Sequence, residues 1–184
     1  MREPTADLAH HFADLAFDTT YSDLSADAVD AAKKSVMDTL GVSLAASGLE
    51  QSIGSVLDYA RGVGGQPEAS VISSDVKLPA ASAAFVHGAM AHCLDYDDYT
   101  YWGHHGASSI IPAAFAVAEC QGGISGEEMI TAVAIGQDIY GRLRRFVEWQ
   151  QDWNISPVMG VFAACATASR IVGLSREALS LIHI

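Results

Sequence analysis

Two stretches rich in small side chains dominate the sequence. Residues 80–95 read AASAAFVHGAMAHCLD, and residues 107–122 read ASSIIPAAFAVAECQG. Alanine, glycine and serine at this density let the backbones of neighbouring helices approach closely. Helices of this composition lack a wide polar face, so we expect them to be nearly all buried. The two stretches therefore predict tightly packed helices within a larger helical body.

The rest of the chain follows the same helical period. Apolar residues recur three or four positions apart, and helix start signals precede them. These signals are Thr5, Ser25, the capping box Ser125–Glu128, and Ser175. The periodic segments predict helices over residues 25–48, 51–60, 125 to about 148, and about 157–171. Their predicted ends are Gly48 for the first, Gly62 and the Gly64-Gly65 pair for the second, and Gly173 for the last. Because only residues 69–78 depart from this period, the predicted fold is all-α, a helical bundle with one short β-hairpin near residues 69–78.

Composition and charge exclude several classes of protein. The chain has 184 residues, of which 50% are hydrophobic and 17% charged, so it can bury a core and disorder is not expected. It carries 10 Lys and Arg against 22 Asp and Glu, for a formal net charge of -12. We therefore expect no nucleic acid partner. The densest positive charge, at residues 141–145, lies near a predicted helix end, where it is expected only to complement the helix dipole.

The cysteines and the apolar segments indicate a cytoplasmic protein. Cys93, Cys120 and Cys165 are odd in number and show no metal-type spacing, which favours a reduced, intracellular chain. Charges scattered through the first residues argue against a secretory signal. The most apolar stretch, residues 110–118, is shorter than the roughly 20 residues that a bilayer requires, so no membrane association is expected.

The segment between the two Ala-rich stretches carries the candidate chemistry. It contains three carboxylates and two histidines among four aromatic residues: Asp95, Asp97, Asp98, His104, His105, Tyr96, Tyr99, Tyr101 and Trp102. Aromatic side chains beside carboxylates and imidazoles can exclude water and shift pKa values, as acid–base catalysis near neutral pH requires. A plainer interpretation is a pair of helix ends with incidental polar residues and buried tyrosines.

A metal site and a nucleophile are the other chemical candidates. His92 and Asp95 stand three residues apart, on one face of the predicted helix, and His104 or His105 could join them as ligands. No recognised metal-ligand motif is present, so hydrogen-bonded histidines are favoured. Cys93 is expected to be inert inside an apolar helix, and no nucleophile elbow or phosphate-binding glycine loop occurs.

The motifs of this segment resemble the MmgE/PrpD family, which includes 2-methylcitrate dehydratase and cis-aconitate decarboxylase. The resemblance extends over essentially the whole chain. The pattern comprises His87-Gly88, His92, Asp95-Tyr96-Asp97-Asp98, His105-Gly106 and Pro112. An early DTLGV element at residues 38–42 and a glycine, small-residue and GLS pattern at residues 160–175 are also similar to the family.

The resemblance implies a fold, an assembly and a set of site residues. Residues 1–184 would form part of the N-terminal helical domain, without the lid domain and the C-terminal return. The family implies a homodimer without an iron–sulfur cluster, and we expect neither a cofactor nor a metal. Asp95 and His105 would lie in the pocket, with His92 and Asp98 close by. Pocket lysines and a tyrosine would follow Ile184.

Three residues depart from the family pattern. His87 stands where many members have asparagine, Tyr99 where several have threonine, and Asn154 where they have histidine. An asparagine side chain does not exchange a proton near neutral pH. This motivates the alternative that the chain is a non-catalytic binding or scaffold member of the same fold.

The function predicted from the resemblance is a lyase acting on a di- or tricarboxylic acid, of the 2-methylcitrate dehydratase type. His105 would be the acid–base residue, with Asp95 orienting it. The candidate substrate-binding residues are Asp98, Tyr99, His104 and Asn154. A metal-dependent enzyme using His92, Asp95 and a loop histidine is a further alternative. We expect residues 1–184 alone to be inactive and to associate through exposed apolar faces.

Overall fold

The computed structural model describes residues 7–101, 104–148 and 153–182. Within these ranges the chain forms eight α-helices, one short 3-10 helix at Tyr21–Asp23, and one antiparallel pair of strands. The bounds are α1 Leu8–Asp18, α2 Ala26–Leu49, α3 Ser52–Val63, β1 Ala69–Ser70, β2 Lys77–Leu78, α4 Ala80–His92, α5 Ala107–Cys120, α6 Gly126–Phe146, α7 Ile155–Val172 and α8 Arg176–Ile182. The predicted all-α bundle with one short β-hairpin is confirmed.

Side-chain caps begin three helices where the sequence predicts them. The Ser25 hydroxyl accepts a hydrogen bond from the Ala28 N–H at 3.1 Å. Ser125 and Glu128 form the capping box, with N···O distances of 2.8 and 3.1 Å. The Ser175 hydroxyl caps α8 in the same way. These contacts satisfy backbone N–H groups that have no partner within the helix.

Two predicted helix starts need comment. Thr5 lies outside the described residues, and Asp7 caps α1 by accepting a hydrogen bond from the Ala9 N–H at 3.2 Å. The predicted start of α7 at about Pro157 is late, because Asn154 caps a helix that begins two residues earlier in the chain. Proline is tolerated in the first turn of a helix, where its missing N–H costs nothing.

Three helix ends differ from the predicted ones. α2 continues through Gly48 to the next residue, and α3 runs past Ala60 and Gly62 until Gly64, one of the predicted closing glycines, ends it with φ 72°. This left-handed conformation favours glycine. α6 ends at Phe146, short of the predicted Glu148. Gly64 and Gly173 end α3 and α7 as predicted, whereas Gly48 does not end α2.

The largest apolar core lies between α5, α6 and α7. Each contributes side chains that are at most 4% exposed: Ile110, Ile111, Val133, Tyr140 and Met159. α4 packs against α5, and α3 and the hairpin join it around a second apolar cluster. The two Ala-rich stretches thus form adjacent helices, α4 and α5, as predicted.

α7 combines a length of 18 residues with an apolar composition that would suit a membrane span. Core helices of globular proteins pass the same test, and 44% of α7 is buried in the structure. It packs against α5 and α6 along its length. This packing accounts for its apolar composition without a membrane.

A polar contact fastens the hairpin to α5. The Glu119 carboxylate accepts hydrogen bonds from the Lys77 ammonium and from the Ser70 N–H, each at 2.7 Å. Lys77 and Ser70 lower the pKa of Glu119 to about 2. The hairpin is therefore attached to the helix that follows the candidate active-site loop.

Glycine at two positions of the core permits the close approach of three helices. A Cβ at Gly136 in α6 would overlap the Thr167 hydroxyl of α7 and lie 3.0 Å from Ile110 Cγ2 of α5. A Cβ at Gly160 in α7 would overlap the Ser109 hydroxyl and lie 2.8 Å from Ser109 Cβ in α5. The small-residue composition therefore sets the distances between α5, α6 and α7.

The loop between α4 and α5 is anchored to the bundle by Asp98. The Ser35 hydroxyl of α2 donates to Asp98 Oδ2 at 2.7 Å, and the Gln137 amide of α6 donates to Ser35 Oγ at 3.0 Å. Burial raises the pKa of Asp98, and the nearby Asp38 and Asp97 charges add to this effect, whereas the Ser35 hydrogen bond opposes it. The loop is thereby tied to two helices that are distant in sequence.

The glycine packing predicts opposite effects for two substitutions in α6. Gly136→Ala forces α6 away from α5 and α7, so the free energy of unfolding should fall by about 1 to 3 kcal/mol. Gly141→Ala is the matched control, because no atom lies within 4 Å of its added Cβ. It should raise the free energy of unfolding by roughly 0.5 to 1 kcal/mol. Urea denaturation measures both, and equal effects would contradict the packing account.

The raised pKa of Asp98 predicts a pH-dependent stability. The folded state favours the neutral form of the Asp98 carboxyl. The stabilisation that Asp98 provides is therefore complete below the ordinary pKa of a carboxyl group, and it is lost as the pH rises through the higher pKa of Asp98 in the folded protein. Asp98→Asn keeps an acceptor for Ser35 and stays neutral. Its stability relative to the parent should therefore increase between about pH 3 and about pH 7.

Thermal unfolding across this pH range measures the effect. Asp75→Asn is the control, because Asp75 is exposed on the hairpin turn. A stability difference for Asp98→Asn that stays constant with pH, or follows that of Asp75→Asn, would contradict the buried-carboxyl interpretation.

Candidate active site

The candidate active-site loop, residues 93–106, connects α4 to α5 and begins after His92. Asp95 follows with φ 50°, in the left-handed region, and its N–H donates to the His92 carbonyl at 3.0 Å. The prediction that His92 and Asp95 share a helical face is wrong, because the helix ends before Asp95. The turn instead directs the chain back towards α4, so that Asp97 contacts His92.

The other end of the loop is held by its own backbone and by α7. His104 has φ 76°, and its carbonyl accepts hydrogen bonds from the Thr100 N–H and hydroxyl, both at 3.2 Å. The His105 N–H donates to the Ser156 hydroxyl at 3.2 Å. Since Ser156 lies in the first turn of α7, that helix helps to place His105.

Two histidines and two aspartates meet within this loop. Asp97 Oδ1 lies 3.0 Å from His92 Nδ1 and 3.3 Å from His105 Nδ1. On the opposite edge of the ring, His105 Nε2 lies 3.5 Å from Asp95 Oδ1. The two imidazole centroids are 4.8 Å apart. The structure therefore brings together His105 and Asp95, the two residues predicted to be catalytic.

The exposure of these side chains gives the site an inner and an outer side. The Asp97 side chain is 0% exposed and that of His105 is 16% exposed, whereas that of Asp95 is 82% exposed. His105 Nδ1 is buried and has no hydrogen-bond partner among the described residues, because its 3.3 Å approach to Asp97 Oδ1 lacks hydrogen-bond geometry. A molecule that enters from solvent would therefore meet Asp95 and the Nε2 edge of His105 first.

This arrangement can transfer a proton at one defined atom. An imidazole whose two nitrogens both face carboxylate oxygens satisfies both contacts when each nitrogen carries a proton. The proton on the buried Nδ1 stays against Asp97, whereas the proton on Nε2 can pass to a ligand. His105 can therefore act as a general acid, and its deprotonated Nε2 as a general base.

The tyrosines of the loop do not shield the site as the sequence analysis expected. Tyr96, Tyr99 and Tyr101 are 82%, 70% and 92% exposed, so the expected exclusion of water by these rings is wrong. Trp102 lies outside the described residues. The Tyr99 ring does stand edge-on to the His105 ring, with centroids 5.3 Å apart and planes at 71°. Its exposed position beside His105 suits contact with a ligand.

Two of the predicted substrate-binding residues have structural contacts instead. The Asp98 carboxylate accepts the hydrogen bond from Ser35 and is not among the groups that meet at His105. Asn154 Oδ1 accepts a hydrogen bond from the Ser156 N–H at 3.2 Å and so caps α7. Their roles in substrate binding stay predictions.

His104 belongs to the loop and lies near Arg144, at the end of α6. Burial lowers the pKa of His104, and the positive charges of Arg144 and His105 lower it further. Arg144 Nη1 donates to the Val147 carbonyl at 2.9 Å, and its Nε is buried without a hydrogen-bond partner. The sequence analysis assigned this arginine only to the helix dipole, so it missed a cation beside the candidate site.

Asp97 is the other residue that sequence reasoning did not select. It was noted among three carboxylates, but Asp95 was preferred as the partner of His105. In the structure the chain reverses at Asp95, which leaves Tyr96 exposed and turns the Asp97 side chain inwards. Only the spacing of the two aspartates was visible in the sequence. A left-handed aspartate is uncommon, and this turn was not evident from the sequence.

Two further residues have clear structural positions. Cys93 is exposed at the C-terminal end of α4, so the expectation that it lies inside an apolar helix is wrong. Burial nevertheless raises the pKa of its thiol, which disfavours the reactive thiolate. His87 is 5% exposed, and its Nε2 accepts a hydrogen bond from the Ile72 N–H at 3.0 Å. Its imidazole therefore links α4 to the hairpin.

The histidine–aspartate cluster also has the composition of a metal site. One ligand atom from each of His92, Asp95, Asp97 and His105 lies within 4.8 Å of all the others. Imidazole nitrogens and carboxylate oxygens are ligands that Zn²⁺ and Mn²⁺ accept. The residues that could transfer a proton are thus the same ones that could hold a divalent ion.

Comparisons with known proteins assign the sequence of the chain to a family. Residues 10–181 match the sequence model of the MmgE/PrpD N-terminal domain. The chain is 30% identical to cis-aconitate decarboxylase of Mus musculus over 81% of its own length and 33% of that protein. It is 32% identical to cis-aconitate decarboxylase of Homo sapiens over 58% of its length and 24% of that protein.

A fungal relative is similar over most of the chain. This is a cis-aconitate decarboxylase-like protein of Aspergillus oryzae, 29% identical over 85% of the chain and 34% of that protein. The chain thus spans about a third or less of the length of these curated relatives. Because the domain match extends from residue 10 to residue 181, across the loop and the helices that hold it, the chain belongs to the MmgE/PrpD family.

Proposed function

We propose that the chain carries the acid–base part of a lyase site that acts on a di- or tricarboxylic acid. The observation that carries this proposal is the position of His105 between two carboxylates, 3.5 Å from Asp95 and 3.3 Å from Asp97. Nε2 faces the exposed side, where it can exchange a proton with a ligand. The mouse and human relatives are cis-aconitate decarboxylases and the fungal relative is a cis-aconitate decarboxylase-like protein, which supports this class of substrate.

Two reactions of this class need a proton transfer at a carbon near a carboxylate. In decarboxylation the bond to the departing carboxylate breaks, its electron pair stays on carbon, and an acid must deliver a proton to that carbon. In dehydration a base removes a proton from carbon and the neighbouring hydroxyl leaves as water after protonation. His105 can supply the acid for the first reaction or the base for the second.

The relatives and the sequence motifs support different members of this class. The names of the relatives favour decarboxylation of cis-aconitate. The sequence prediction of 2-methylcitrate dehydration belongs to the same proposal as the alternative reaction. We also propose that the protein is cytoplasmic, forms a homodimer and uses no cofactor.

Arg144 is a candidate for holding a substrate carboxylate. The cluster itself carries two carboxylates, so an anionic substrate needs a nearby cation to offset their repulsion. Arg144 is close enough to His104 for its charge to lower the pKa of that imidazole. Guanidinium groups bind carboxylates through paired hydrogen bonds. His104 and Tyr99 would line the same side of the ligand.

A second candidate function is a metal-dependent enzyme. The observation in its favour is the set of four possible ligand atoms within 4.8 Å of one another. In that case His92, Asp95, Asp97 and His105 would hold a divalent ion, which would polarise a substrate carboxylate or hydroxyl. The two functions differ in whether His105 is free to transfer a proton.

Substrate turnover is the first test of the proposed function. The protein in its full natural length should convert cis-aconitate with release of carbon dioxide, or 2-methylcitrate with loss of water, as followed by NMR of the reaction mixture. Turnover of cis-aconitate alone would assign the decarboxylase activity. A folded protein that converts neither acid would contradict the proposal and favour the non-catalytic scaffold.

Replacement of His105 tests the residue that carries the chemistry. His105→Ala should lower kcat by about 10² to 10⁴-fold, or roughly 3 to 5 kcal/mol in the barrier, because the proton donor or acceptor is lost. His10→Ala is the control, since His10 is exposed on α1. An unchanged kcat in a correctly folded His105→Ala protein would remove this residue from the mechanism.

Elemental analysis separates the acid–base site from the metal site. The proposed function predicts full activity after dialysis against EDTA, and no stoichiometric zinc or manganese in the purified protein. A bound metal at one equivalent that is lost in His92→Ala, with activity that EDTA abolishes and the metal restores, would favour the metal-dependent enzyme instead.

A further inference from the structure

Asp97 is a buried carboxylate placed between two imidazoles. Its side chain is 0% exposed, and its Oδ1 and Oδ2 lie 3.0 and 3.2 Å from His92 Nδ1. Oδ1 also lies 3.3 Å from His105 Nδ1. Oδ1 therefore faces both imidazoles, and the carboxylate has no contact with solvent.

A carboxylate in such a position requires hydrogen-bond donors. Moving an ionised carboxylate out of water costs several kcal/mol or more unless donors compensate it. The Nδ1 atoms of the two rings are the ring atoms in contact with Asp97. Each can compensate the charge only if it carries the hydrogen, because a bare Nδ1 would place a lone pair against the carboxylate.

We infer that Asp97 is a positioning residue that holds His92 in the Nδ1–H form through a hydrogen bond, favours the Nδ1–H form of His105 through its charge 3.3 Å away, and leaves both Nε2 atoms for proton exchange. The inference about the tautomers rests on the Asp97 contacts alone, and its consequence for the rate rests on the proposed function. Asp97 does not reach the ligand itself, because its side chain is closed off from solvent.

The exposure of the neighbouring groups agrees with this role. In His105 the Nε2 edge faces Asp95, whose side chain is 82% exposed, so proton exchange occurs on the open side of the ring. The His92 side chain is 36% exposed, and its ring centroid lies 4.8 Å from that of His105. One buried carboxylate thus orients two rings, and the second ring provides a further proton-transfer group beside the first.

The orientation also has a geometric consequence. Fixing Nδ1–H against Asp97 removes the freedom of each imidazole to flip, so Nε2 points the same way in every molecule. Free histidine in water has no such constraint. A fixed acid or base reacts faster than a mobile one, because the cost of orienting it has already been met in folding.

The tautomers can be measured directly by NMR of full-chain protein labelled with ¹⁵N-histidine. Near neutral pH and above, both rings should show an Nδ1–H signal pattern. In Asp97→Leu neither Nδ1 keeps an acceptor, so at least one ring should switch to the Nε2–H form. Asp95→Leu is the matched control, because it removes a carboxylate on the exposed side and should leave both rings in the Nδ1–H form.

Kinetics supply the second readout. Asp97→Leu should lower kcat by about 10-fold or more while KM changes little, because an orienting contact and not a ligand contact is lost.

The two readouts separate the possible failures. A parent protein whose His92 and His105 are Nε2–H tautomers would overturn the inference, and this measurement needs no variant that might fail to fold. An Asp97→Leu protein with unchanged tautomers would overturn it as well. Confirmed tautomers together with no lyase activity would support the positioning role of Asp97 and contradict the proposed function alone.

Discussion

The close packing of α5 against α6 and α7 is the constraint on which the candidate site depends. Gly160 of α7 faces Ser109 of α5, and the first turn of α7 then reaches the loop, where Ser156 binds the His105 backbone. Larger residues at these positions would move α7 outwards and with it this contact. The position of His105, and therefore the proton-transfer geometry, follows from how closely the helix backbones approach.

Much of the fold was predictable because its signals are local. The Ser25 hydroxyl and the Glu128 carboxylate cap backbone N–H groups only three residues away, so the sequence alone reveals these caps. The change of period near residues 69–78 revealed the hairpin for the same reason. Helix ends were less predictable, since α2 continues past Gly48, whereas α3 ends at the predicted Gly64 in the left-handed conformation. Its end depends on backbone conformation as well as on residue type.

The sequence predicted two residues of the histidine–aspartate cluster but not the arrangement of the cluster. His105 and Asp95 were selected from motif resemblance, and they do meet. The role of Asp97 depends on the left-handed turn at Asp95, and the anchoring of Asp98 depends on Ser35, which is 63 positions away in the chain. Contacts between distant residues and uncommon backbone conformations leave no periodic trace in a single sequence. For this reason three similar aspartates proved to have three different environments.

The central claim is that His105 exchanges a proton with a carboxylic acid substrate through Nε2. A crystal structure of the protein in its full natural length, with a bound tricarboxylate, tests this most directly. The account predicts a substrate carbon or its carboxylate within about 3.5 Å of His105 Nε2, with Asp97 still against Nδ1. A tricarboxylate bound elsewhere, or a metal ion seated between His92 and His105, would contradict the account.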